Sequence, residues 1–261
     1  MIYVAFILAF LGEIALPIGI MLWLKRRYGA KWMLFGVGVL TFIASQVVHI
    51  PLLGAVSKLL MTYLPPYDVS NNAFLFQAAM LGLLAGLCEE TARLVGYLVL
   101  KQRAKEFGSA LTLGTGHGGV ESMVVGLSLI STFVAGLLVL HSNQTIAGLT
   151  PQNAAAMFAY PWYVPLVSLF ERLTAVSLHI TLSVMVWQAV TRRAWVWYLG
   201  AVLYHALVDG LAVYLPHLGV STYALEGILG VFMLANLAAL YRVDRREKKP
   251  AAGESPEEIA P

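Results

Sequence analysis

The sequence predicts an all-α, multi-pass membrane protein of about seven transmembrane helices, and three observations predict it. Of the 261 residues, 59% are hydrophobic and only 12% are charged, a balance well outside that of soluble domains. The apolar residues fall into runs long enough to cross roughly 30 Å of hydrocarbon. The basic residues cluster after alternate runs, as cytoplasmic loops require.

The first run, 2–24, starts at the initiator with no basic residue before it and ends in Lys25, Arg26 and Arg27. It therefore reads as a retained helix rather than a cleaved signal peptide. The second covers 32–53, and the third, 73–100, is followed by Lys101, Arg103 and Lys105. The fourth covers 118–140, after a glycine-rich stretch. The fifth, 162–190, begins with Trp162 and Tyr163, ends near Trp187, and is followed by Arg192 and Arg193. The sixth, 195–215, opens with Trp195, Trp197 and Tyr198, residues that suit an aromatic belt at the membrane interface. The seventh, 222–241, precedes Arg242, Arg245, Arg246, Lys248 and Lys249. Residues 1–241 are thus expected to form one transmembrane domain, with the motif helices at about 73–215. Residues 242–261 are charged and rich in Pro, Ala and Glu, and are expected to form a disordered cytoplasmic tail.

With Lys31, the basic residues named above account for 14 of the 17, and all fall on one side of a seven-helix topology. This places the N-terminus outside, the C-terminus in the cytoplasm, segments 54–72 and 141–161 outside, and 101–108 inside a multi-pass protein of the cell membrane. The positive excess is accounted for by topology and does not call for nucleic acid as a partner. Cys88 is the single cysteine, so neither an intrachain disulfide nor a thiolate metal site can be built. There is no internal repeat, phosphate-binding glycine loop or soluble domain.

Ionisable groups inside membrane helices are costly, and each is a functional candidate. They are Glu13, Glu89, Glu90, Arg93, His117, Glu121, Glu171, Arg172, His179, His205, Asp209 and Glu226. Glu89, His117, His179 and His205 each lie 12 or 13 residues from the nearest flanking basic residue. At about 1.5 Å per helical residue, that puts all four in one layer roughly 18–20 Å from the basic boundary. His49, His141 and His217 fall near the opposite helix ends, where an interfacial histidine needs no special account.

Residues four apart share a helix face, which pairs Glu89 with Arg93, His117 with Glu121 and His205 with Asp209. The last two pairs are good divalent-metal ligands, and zinc accepts their nitrogen and oxygen donors. Five carboxylates, Glu89, Glu90, Glu121, Glu171 and Asp209, face two guanidiniums, Arg93 and Arg172, and a dication would offset much of the difference. His179 is either a further ligand or a hydrogen-bonded core residue. Glu171 and Arg172 point about 100° apart and can equally hold the bundle together. Glu13 and Glu226 have no motif around them, and a structural or water-facing role suits them better.

The segments EETAR (89–93), HGGVE (117–121) and HALVD (205–209), with Glu171, Arg172 and His179 between the last two, resemble the motifs of the YhfC-type intramembrane metalloproteases. These are relatives of the PrsW proteases and the type II CAAX prenyl endopeptidases. The resemblance extends over about residues 85–212 and implies a peptidase in which a glutamate activates water. By that resemblance Glu89 and Glu90, with Arg93, take the catalytic position. His117, Glu121, His179, His205 and Asp209 are the metal candidates, and zinc is the first choice of metal. The middle motif ends in Glu121 where the CAAX proteins have His, and Arg93 stands one residue closer to the glutamates, so either glutamate can be the base. The implied substrate is a membrane protein or peptide within the lipid bilayer, cut in a water-filled pocket open to the cytoplasmic side. A proton- or cation-coupled transporter is the alternative, since it too places carboxylates and histidines at mid-membrane.

Overall fold

A computed structural model describes residues 1–63 and 71–248. Eight α-helices follow in order: α1 (Ile2–Tyr28), α2 (Trp32–Tyr63), α3 (Asn71–Leu100), α4 (Phe107–Ser142), α5 (Pro151–Ala159), α6 (Val164–Thr191), α7 (Val196–His217) and α8 (Thr222–Glu247), with a 3-10 turn at Lys101–Ala104. All but α5 are long and apolar enough to span a membrane, which makes seven candidate spans among the described residues.

Two boundaries differ from the sequence reading. The fourth span begins at Phe107 rather than 118, because the glycine-rich stretch is helical and buried from Phe107 to Gly119. The seventh continues past 241 to Glu247, so the first part of the segment read as a disordered tail is helix. Residues 249–261 lie outside the described residues, as does part of the 54–72 segment.

Local chemistry marks the helix ends. Helix α1 stops at Gly29, whose φ of 65° lets its N–H reach the Lys25 carbonyl, with Lys25, Arg26 and Arg27 in the last turn against the negative end of the dipole. The side chains of Thr150 and Ser221 cap α5 and α8 by accepting from the N–H groups of Asn153 and Ala224. At the basic end, Tyr28 donates to Asp244 at 3.0 Å and Trp187 to the Lys105 carbonyl at 3.0 Å, while Arg192 pairs with Glu247 at 2.7 Å. These contacts gather the ends of α1, α4, α6 and α8 on one face of the bundle.

Helix α6 is the hub, buried almost without break from Val176 to Ala189. Around it α3 packs on α7, α2 and α1 pack on α4, and α4 and α8 pack on α6. Glycine sets how closely two of these pairs approach. A methyl at Gly38 would lie 2.1 Å from the Leu113 carbonyl oxygen, and one at Gly116 would lie 2.1 Å from that of Phe35. Helices α2 and α4 therefore touch backbone to backbone. The same holds for α3 on α7, where a methyl at Gly82 would meet the Ala206 carbonyl at 2.4 Å. These two approaches carry His117 and His205 in towards Glu89.

Candidate metal centre and catalytic site

Glu89 is at the centre of the polar layer. Its Oε1 accepts from Gln46 Nε2 of α2 at 3.0 Å. Its Oε2 lies 3.1 Å from His117 Nε2, 3.9 Å from His205 Nε2 and 4.0 Å from His179 Nδ1. The three imidazoles are neighbours in turn, with ring centroids 5.2 Å apart for His117 and His179 and 5.4 Å for His179 and His205. The far nitrogen of His117 meets Thr41 Oγ1 at 2.9 Å. Glu89 is thus gripped from α2 and α4 while its second oxygen faces the histidines.

Glu90 has a different environment. It is fully buried, as is Arg93, and the Arg93 guanidinium contacts both of its carboxylate oxygens. His205 Nδ1 also meets Glu90 Oε1, at 2.9 Å. A carboxylate only accepts, so Nδ1 holds the hydrogen, and in the neutral form of the ring the lone pair is on Nε2. That nitrogen faces Glu89 and, at 3.5 Å, Asp209 Oδ2. A ring fixed in this way by a carboxylate behind it is how metal-binding histidines are commonly oriented.

His179 is held from both sides. Arg93 Nη2 donates to its Nδ1 at 3.1 Å, and its Nε2 meets Glu121 Oε2 at 2.5 Å. Glu121 is in turn held by Arg172 at 2.8 Å, and the other terminal nitrogen of Arg172 pairs with Glu171 at 2.5 Å. A cavity of about 120 Å³ opens beside this layer between α6, α7 and α8, with Glu89, Glu121, His179, His205, Asp209 and Asn236 in its wall. That is room for several water molecules. Asp209 and Glu171, 40% and 43% exposed in their side chains, form its polar rim.

The structure brings the expected residues together but re-partners two of the three motif pairs. Arg93 pairs with Glu90, not with Glu89 four residues before it, and His117 turns to Glu89 while Glu121 turns to His179 and Arg172. Only His205 and Asp209 face each other as the spacing suggested. Arg93 takes the buried carboxylate one turn back on its own helix, while His117 and Glu121 find partners across the bundle on α3 and α6. The cavity lies on the side of the layer away from the basic helix ends. Its wall on α6, α7 and α8 extends from the histidine layer towards Glu171, Ala212 and Leu229, away from the basic helix ends, and the buried Phe107–Gly119 stretch of α4 occupies the basic side.

Glu13, outside the motifs, is fully buried and accepts from Ser168 at 2.7 Å, so of the two roles left open for it the structure favours the structural one. Sequence reasoning missed Thr41, Gln46 and Asn236. All three are uncharged, and the search for ionisable groups in apolar runs had no reason to stop at them.

The donor set fits a divalent metal. Ligand atoms of Glu89, His179 and His205 all lie within 4.8 Å of one another. Among the described residues, Arg93 is taken by Glu90 and Arg172 by Glu121 and Glu171, so Glu89 and Asp209 flank His205 Nε2 with no Lys or Arg partner. Two carboxylates without a Lys or Arg partner, beside an imidazole nitrogen, are a donor set that a dication balances.

Comparison with known proteins agrees with this geometry. Residues 12–247 match the family described as YhfC intramembrane metalloprotease. The chain is 30% identical over 248 residues, 90% of its own length and 94% of the relative's, to a Bacillus subtilis (strain 168) protein named "Uncharacterized membrane protein YhfC". No solved structure matches. The matched region contains every span's polar residues described above, and the chain belongs to the YhfC intramembrane metalloprotease family.

Proposed function

We propose that this protein is a zinc-dependent intramembrane peptidase of the cell membrane that hydrolyses a peptide bond of a membrane-embedded protein or peptide, in the manner of the PrsW and type II CAAX enzymes it resembles. The observation that supports this most is the position of Glu89, whose Oε2 faces three imidazoles within 4.0 Å at the wall of the 120 Å³ cavity.

His205 Nε2, His179 Nδ1 and the Asp209 carboxylate would hold the metal, His179 exchanging its Arg93 contact for the ion. When bound, the metal supplies Lewis-acid polarisation and makes water more acidic. Glu89 is the general base. It takes a proton from water as the oxygen adds to the scissile carbonyl carbon, and returns it to the amide nitrogen as the C–N bond breaks. Gln46 and His117 hold its two oxygens in place, with Thr41 behind His117. Glu90 and Arg93 do not touch substrate. Glu90 fixes His205 from the dry side, and Arg93 holds Glu90 in place. Glu121, anchored by Arg172, does the same for His179 from the cavity side. The buried α4 segment beyond the histidine layer favours a closed reaction site over a transport path.

Metal analysis tests this. Full-length protein purified with its lipids is expected to hold about one zinc per chain, and His205→Ala to lose most of it while still folding, because the variant removes a donor and not the helix contacts. Equal metal in the two proteins would refute the assignment.

A further inference from the structure

The cavity beside Glu89 needs a hydrogen-bond donor for the backbone of a bound peptide, and nearly every donor in its wall is committed. The Thr174 hydroxyl donates to the Glu171 carbonyl at 2.7 Å. The terminal nitrogens of Arg172 are turned on Glu121 and Glu171, and its Nε, without a partner among the described residues, is itself buried from the cavity surface. His205 gives its Nδ1 hydrogen to Glu90, and His179 meets Glu121 through Nε2.

Asn236 of α8 differs. It is 2% exposed and lines the same cavity. Its orientation is fixed by a chain of bonds: Tyr204 Oη donates to its Oδ1 at 2.8 Å, and its Nδ2 reaches Ser177 Oγ at 3.5 Å, whose own hydrogen goes to the Thr174 carbonyl at 2.7 Å. An amide nitrogen has two hydrogens, and here one makes a long contact while the other meets no acceptor among the described residues. Tyr204 and Ser177 stand next to His205 and two residues from His179 on the helices that carry those rings. The orientation of the amide is therefore tied to the metal-binding side of the cavity.

We propose that Asn236 is a substrate-contacting residue, whose Nδ2 donates to a backbone carbonyl oxygen of a peptide seated in the cavity. This rests on the peptidase reading given above. It assigns the α8 wall to recognition of the peptide backbone, independent of side-chain identity, and makes Tyr204 the residue that keeps the amide nitrogen turned inward.

Two hydroxamates distinguish the possibilities when bound to zinc-loaded, full-length protein in nanodiscs. N-acetyl-trialanine hydroxamate offers peptide carbonyls beyond the chelating group, and acetohydroxamate offers none. Asn236→Ala is expected to weaken the trialanine compound about tenfold, the loss of one hydrogen bond, and to leave acetohydroxamate affinity and zinc content unchanged. Tyr204→Phe, which keeps the asparagine and frees its rotation, is expected to weaken the trialanine compound alone by about threefold, and it stands as the test if Asn236→Ala does not fold. Unchanged trialanine affinity in both variants, or a parallel loss for both compounds, overturns the role of Asn236 and leaves the peptidase reading in place. A wild type that loads zinc and binds neither compound overturns the peptidase reading itself and the proposal with it.

Discussion

Replacing Glu89 by glutamine is expected to reduce cleavage of a membrane peptide by about 10²–10⁴-fold, the contribution of a general base, with zinc content close to wild type. Glutamine keeps the size of the side chain and an oxygen that can still accept from Gln46, but it cannot take a proton. The glutamate next to it separates base from scaffold. Glu90 is fully buried against Arg93 and His205 and has no face on the cavity, so Glu90→Gln is expected to act through stability and metal retention, and not through the proton-transfer step. Full activity in Glu89→Gln, or loss of activity in Glu90→Gln with fold and zinc intact, would exchange the two roles. Turnover in detergent or vesicles, beside zinc analysis and thermal unfolding of the same samples, reads all three quantities.

The second large effect is on folding. Arg93 and Glu90 are both 0% exposed and pair directly. Removing one partner of such a pair leaves an uncompensated buried charge, at a cost of about 3–5 kcal/mol. Arg93→Met is therefore expected to lower the unfolding temperature sharply and to reduce the yield of folded protein. The double variant Arg93→Met with Glu90→Met is expected to regain most of that stability, because both charges are gone and the volume is kept. It should still not cleave, since His205 Nδ1 would have lost its acceptor. A double variant as unstable as the single one would show that the pair does not set the stability of this layer.

Seven spans and a mid-membrane layer of Glu89, His117, His179 and His205 were readable from the chain, because twenty apolar residues and a fixed rise per residue determine depth without knowledge of the neighbours. Partners were harder to read. Spacing put Arg93 with Glu89 and Glu121 with His117, yet a guanidinium on a long stem reaches the carboxylate that the bundle buries beside it, which is Glu90. Rotation of α4 against α6 likewise turns Glu121 onto His179 and Arg172. That rotation is set by close approach at Gly114 and Gly118, where a methyl would lie 2.7 Å from the Ile180 Cα and 2.8 Å from the His179 Cβ, and hydropathy says nothing of it. Thr41, Gln46 and Asn236 were missed for a related reason. A neutral polar side chain in an apolar run costs little when it bonds locally, as Thr41 does to the Gly38 carbonyl at 2.7 Å, so nothing in composition separates such a residue from one that orients a catalytic group. The direction of the cavity was likewise beyond sequence, since it depends on which helix segments leave space between α6, α7 and α8.

X-ray absorption at the zinc edge tests most directly the claim that this layer is a metal centre built on two histidines and a carboxylate. Wild-type protein is expected to show a first shell of nitrogen and oxygen at about 2.0–2.1 Å with the outer-shell scattering of two imidazoles, falling to one in His179→Ala, which leaves His205 and Asp209 in place. A zinc shell with no imidazole scattering, or one that His179→Ala and His205→Ala both leave unchanged, would contradict the account.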